Sequence, residues 1–190
     1  MKKVNSPDTV AHLYAHQSQT EATNNNKSLF FENDRIYSYG RHFCIARHVT
    51  AKDGDPALLF TTRSYSNTTA KHIIIVRNAT SHIQKIYCNN PTATHEGNFN
   101  SFETEIKNAL KGLANARKPE KYINKAEQIQ GRAEKYAQFF NLTTPPAIAE
   151  LIESAKTGKY KEYLIQEADR IQKEKEQAEA KALKAFKKLL

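Results

Sequence analysis

All seven histidines of the chain stand at or before His95, and so do most of its aromatic residues. Beyond that point Ala, Lys, Glu and Gln dominate. A shift of this kind marks a change of architecture. The break near residue 97 predicts an α+β domain over residues 1–97 and a helical region over residues 98–190, built of antiparallel helices with a long terminal one.

The second half reads as helix throughout. Phe99, Phe102, Ile106, Leu110 and Leu113 recur every three or four residues, which is one face of a helix. Lys118-Pro119 breaks it. Tyr122, Ala126, Ile129, Ala133, Tyr136 and Phe140 then form a heptad-like seam. Thr144-Pro145-Pro146 restarts the chain, with Thr as cap and Pro in the first turn. Ile148, Leu151, Ile152 and Ala155 face inward, and Gly158 closes that helix. Tyr160 to Leu190 is the last helix. Its seam is Leu164, Ala168, Ile171, Lys175, Ala178, Ala182, Ala185 and Leu189. Alanines and a lysine bury little area, which favours a solvated helix over one face of an oligomeric coil. The pattern runs to the last residue, as in a piece of something longer.

The first half mixes elements. Ser6-Pro7-Asp8 opens a helix at about 7–18: Ser caps, Pro fits the first position and Asp suits the positive end. Gln19 to Ser28 is polar and reads as a loop. Leu29–Phe31 and Ile36–Tyr39 flank a four-residue turn as a hairpin. His42 to Val49 alternates, with Phe43, Ile45 and Val49 on one side and His42, Cys44, Ala46 and His48 on the other. Leu58 to Tyr65 is a further strand. Ser66-Asn67-Thr68 caps a helix to about Ala79, although the β-branched run Ile73–Val76 suits a strand as well. Ile83 to Cys88 is the last strand. The fold class expected is α+β: a small, mainly antiparallel sheet with helices on one side, followed by the helical region.

Charge bears on function. The chain carries 29 Lys plus Arg against 20 Asp plus Glu, a net charge of +9. Residues 1–97 contribute +4 (11 against 7) and residues 98–190 contribute +5 (18 against 13). A diffuse positive charge suits polyanions, because cationic side chains displace counterions from phosphate; it also serves solubility. No apolar run approaches a membrane span, and the polar first 30 residues hold no apolar core of a secretory signal. Two cysteines, Cys44 and Cys88, make no disulfide framework, so a reducing compartment is expected.

Four constellations bear on chemistry. His12 and His16 have the i, i+4 spacing of metal ligands, but no Glu follows His12 and neither cysteine belongs to a Cys-x-x-Cys pair. No metal or cofactor is expected. Cys44 has His42 and His48 nearby, yet a thiol between Phe43 and Ile45 reads as core rather than nucleophile. The segment Arg63 to His72 is different. Free amides at a helix start, Ser66, Asn67 and Thr68 together with Arg63 and Lys71 make an anion-binding arrangement, beside the plainer reading that these residues only cap the helix. Tyr37, Tyr39, Phe43 and Tyr65 interleave with Arg35, Arg41, Arg47 and Arg63, a pattern that suits base stacking on single strands. Alternation puts Tyr37 and Tyr39 on one face. No P-loop, dinucleotide fingerprint or Ser-His-Asp order is present, so the chain reads as non-enzymatic and no catalytic residue is assigned.

Thr9–Gln17, then Phe30-Phe31, Ile36–Gly40 with His42-Phe43 and Ile45-Ala46, then Leu59–His72, and finally Asn90-Pro91 with His95 and Asn98 resemble, in order, a family of bacteriophage-encoded proteins of unassigned function. The resemblance covers roughly residues 9–98. It implies a phage protein made in the bacterial host cytoplasm and implies no activity. The function expected is that of a small basic phage accessory protein binding nucleic acid through Arg63, Ser66, Asn67, Thr68, Lys71, Arg47, Tyr37 and Tyr39. The alternative is an interaction module that docks on a host or phage protein, as a defence inhibitor would, or forms a homo-oligomer, through the seams of residues 122–140 and 160–190. A weaker alternative is a His/Cys-dependent enzyme.

Overall fold

The computed structural model describes residues 2–3 and 6–187. Seven strands form one sheet in sequence order: β1 (Lys2–Lys3), β2 (Glu21–Thr23), β3 (Leu29–Glu32), β4 (Arg35–Ser38), β5 (Cys44–Thr50), β6 (Pro56–Thr61) and β7 (Lys85–Cys88). Pairing is antiparallel from β2 to β6 and parallel at both ends, β1 with β2 and β6 with β7. A parallel neighbour needs a crossover. Helix α1 (Pro7–Ala15) supplies one and α2 (Asn67–Ala79) the other. Four helices follow: α3 (His95–Ala109), α4 (Pro119–Phe140), α5 (Pro146–Lys156) and α6 (Tyr160–Lys187). The expected α+β class, a mostly antiparallel sheet followed by helices, is what the chain forms.

Several local expectations change. Residues Glu21–Thr23 form a strand, not part of a loop, because Ala22 is buried opposite Phe31. The run Ile73–Val76 is helical. Ile73 and Val76 are buried while Ile74 is 51% exposed, a spacing of three that a strand cannot give. Thr144 does not cap α5; Pro145 holds the cap position, with no side-chain bond to the helix. Of the final seam positions, Leu189 lies outside the described residues.

Helices cover both faces of the sheet rather than one. Along β6, Leu58 and Phe60 pack with α1 and α2 against Val10, Tyr14, Ile73 and Val76. Ala57 and Leu59 pack the other way, with Ile86 and Cys88 of β7, against Phe102, Ile106, Ile129 and Tyr136 of α3 and α4. A strand apolar on both faces must be buried on both. The break near residue 97 therefore separates two sides of one sheet. The α4 seam is used up here: Ala126, Ile129, Ala133 and Tyr136 are buried in this second core. By contrast α6 docks only by its first turns, through Tyr160 and Tyr163. Residues 168–181 are exposed.

A bulge re-aims β5. Ile36 faces Ala46 but Tyr37 faces Cys44, leaving Ile45 as the extra residue. Ile45 and Ala46 consequently both enter the core with α1 and α2, while Val49 turns to the α3–α4 side, opposite to the side expected from simple alternation.

Candidate functional site

The pairing pattern brings three loops to one end of the sheet. The carboxyl ends of β4, β6 and β7 and the amino end of β5 coincide there. In open sheets with a parallel crossover, the carboxyl ends of the strands are where ligands gather. The loop 39–43 is a tight turn in which Ser38 N donates to Phe43 O and Phe43 N to Gly40 O, both at 3.1 Å. The loop 62–66 leads into α2.

Here α2 begins as the sequence predicts. The Ser66 hydroxyl accepts from Thr69 N at 3.2 Å, and Asn67 and Thr68 follow as the first helical residues, exposed. Their amides precede the first intrahelical bond. No acidic residue stands in this first turn, and Lys71 is exposed and free of carboxylates among the described residues. Arg63 lies alongside. Its N donates to Thr61 Oγ1 at 3.1 Å, one Nη reaches Asn90 Oδ1 at 3.4 Å, and its guanidinium carbon sits 5.1 Å from the Phe43 ring centre. Its Nε is buried without a hydrogen-bond partner, and no carboxylate faces it among the described residues.

The other arginines are already engaged. Arg41 bonds both oxygens of Glu32, at 2.8 and 2.5 Å. Arg47 Nε donates to Asp34 at 2.9 Å, and Arg35 shares that carboxylate at 3.4 Å. Arg47 therefore stands on the sheet face, away from the 63–72 segment.

The tyrosines separate too. Tyr37 is 5% exposed and stacks on Phe30 at 5.3 Å, closed to any base. Tyr39 does not share its face, because β4 ends at Ser38 and Tyr39 adopts φ +60°. Its ring is 57% exposed and Tyr65 is 71% exposed; these are the exposed large aromatics among the described residues. Tyr65 sits edge-on to Phe43 at 5.2 Å, and Tyr39 lies 5.7 Å from the His72 ring.

His72 is the residue that sequence reasoning passed over, although it closes the singled-out segment. Itself buried, it bonds Ser38 Oγ through Nδ1 at 2.7 Å and so ties α2 to the end of β4. Burial lowers its pKa, and burial also lowers that of His48, against a bond to the Tyr14 carbonyl. A lowered histidine favours the neutral fold: the stability it contributes is present above the unfolded value of 6.5 and is lost as pH falls through the folded value. Thermal melting across that range is expected to show declining stability on acidification, less steep in His72→Gln.

The other constellations are not assembled into a site among the described residues. Burial pushes the Cys44 and Cys88 thiols up to about 12, so neither is a thiolate near neutrality. The His12 and His16 rings are 4.4 Å apart and His16 stacks on His82. Among the described residues no group of three His, Cys, Asp or Glu is placed to hold a metal ion. No described helix is long and apolar enough to cross a membrane. Compared with protein-family models, curated proteins and solved structures, the chain matches none.

Proposed function

We propose that the loop end of the sheet binds single-stranded nucleic acid, with phosphate at Arg63, Lys71 and the start of α2, and bases on Tyr39 and Tyr65. The observation that carries this reading is the company of Arg63: a guanidinium without a carboxylate shares its end of the sheet with two solvent-facing tyrosine rings. Folding alone gains little from exposing such rings, whereas a base gains a stacking surface from each. The net charge of +9 supplies the long-range attraction. The resemblance of residues 9–98 to bacteriophage-encoded proteins supports an accessory role during infection of a bacterial host.

Fluorescence anisotropy of a labelled oligonucleotide tests the reading. Affinity is expected to fall as salt rises, since phosphate contacts release counterions. Replacing Arg63 and Lys71 together by Gln removes two such contacts and is expected to flatten the log–log salt slope by about 1.4. Affinity that ignores salt, or a double variant that binds like the parent, overturns the proposal.

A further inference from the structure

A second cleft lies where the two halves meet, on the sheet face that α3 and α4 leave partly open. It encloses about 540 Å³ between β5, the start of α3 and the end of α4, within the range of small-ligand sites. Its lining is divided. Leu59 and Phe140 form an apolar wall, and Arg47, Thr50, His95 and Tyr136 bring the polar groups. No carboxylate belongs to the lining.

Hydrogen-bond accounting fixes what His95 offers. The Tyr136 hydroxyl is buried and receives a bond from Asn98 Nδ2 at 3.3 Å. His95 Nδ1 lies 2.8 Å from the same oxygen. Were Nδ1 the donor, the phenolic proton would be buried without an acceptor, at a cost of about 1–3 kcal/mol. The phenol therefore donates to Nδ1, and neutral His95 carries its proton on Nε2. Arg47 adds to this. Its Nε is taken by Asp34, which orients the planar fork, while its Nη groups have no partner among the described residues. Its charge reaches Tyr136, where it counters the upward pull of burial on that hydroxyl. The Phe140 ring is tilted at 58° to that of His95, with centroids 4.7 Å apart, and sets an aromatic side chain beside these donors.

We infer that this cleft binds a small organic anion carried on a flat apolar ring, with the anionic group at the Arg47 Nη and His95 Nε2 donors and the ring against Phe140 and Leu59. The inference is independent of the loop-end reading, because it uses none of that site's residues.

Two probes separate the sources of such chemistry: adenosine monophosphate for a phosphate and benzoate for a carboxylate, each beside its neutral counterpart, adenosine or benzamide. Amide shifts of the full-length protein are followed at millimolar probe. Saturable shifts at Thr50, Thr94 and His95 are expected with at least one anion and about tenfold weaker binding of its neutral counterpart. Arg47→Lys keeps the ion pair to Asp34 but loses the fork, and is expected to weaken binding about tenfold. Arg63→Gln is expected to leave it unchanged. Absence of saturation with both anions, equal binding of the neutral probes, or shifts confined to the loops 39–43 and 62–66 overturns the inference.

Discussion

Replacing Phe102 by Ala is expected to lower the stability of the whole chain by about 3–5 kcal/mol and to do so in one transition. Phe102 is fully buried on α3 in the core that β6 and β7 share with α4 and α5. Its ring lies 5.9 Å from that of Tyr136 and beneath the Arg132 guanidinium, and Arg132 is tied to Glu105 at 2.6 Å. Phe60→Ala is expected to act with the same magnitude from the opposite face, where Phe60 is fully buried among residues of α1 and α2. The two cores are coupled because β6 serves both, with Leu58 and Phe60 on one side and Ala57 and Leu59 on the other. Loss of either face therefore exposes the back of the other. For a chain of this size each kcal/mol moves Tm by about 2–4 °C, so each variant is expected to melt about 6–20 °C lower. Far-ultraviolet circular dichroism reports the helices, and tyrosine absorbance reports the sheet side as well. Coincident, equally shifted curves are expected for both variants. A Phe102→Ala protein whose helices melt first, leaving the tyrosine signal of the sheet unchanged, would show two independent domains instead.

Much of this architecture is legible in the chain because it is local. Helices α3 to α5 declare themselves by the spacing of Phe102, Ile106, Ile129, Ile148 and Leu151, and Pro119 and Pro146 start two of them. Ser6 and Ser66 cap as their sequence context predicts. What escapes is pairing at a distance. The strand Glu21–Thr23 exists because Ala22 meets Phe31, and nothing in its own three residues says so. The bulge at Ile45 is likewise a property of two strands together, and it turns Val49 to the unexpected face. At the candidate site the same division holds. The α2 cap is read correctly, whereas the carboxylates that occupy Arg41 and Arg47 come from Glu32 and Asp34, beside the turn of a different hairpin. Of the four arginines counted along the sequence, Arg63 alone is left without a carboxylate among the described residues. Period-two reading also fails at Tyr39 for a definite reason: alternation stops where the strand stops, and β4 ends one residue earlier.

That same residue supplies the sharpest separation of folding from function. Tyr39 is held at φ +60°, a conformation that costs a residue bearing Cβ about 1–2 kcal/mol and costs glycine almost nothing. Its backbone is fixed there by the bond from Tyr39 N to Ser28 O at 2.8 Å, so the turn needs the conformation but not the ring. The ring itself is 57% exposed and buries little to offset the strain. Tyr39→Gly is accordingly expected to raise stability by about 1 kcal/mol, a rise in Tm of about 2–4 °C. If the ring is a stacking platform, the same change weakens single-strand binding by about 1–3 kcal/mol, roughly 5- to 150-fold in Kd. Tyr65→Ala is expected to match the loss in binding without the gain in stability, because no positive φ is relieved at that position. Removing both rings while Arg63 and Lys71 remain should leave a salt slope close to that of the parent, since the phosphate contacts persist. Opposite signs for stability and binding in Tyr39→Gly identify a residue kept for what it touches rather than for how the chain folds. A variant that gains stability and binds the oligonucleotide as tightly as the parent removes stacking from the mechanism and leaves the charge of Arg63 and Lys71 as the whole of it.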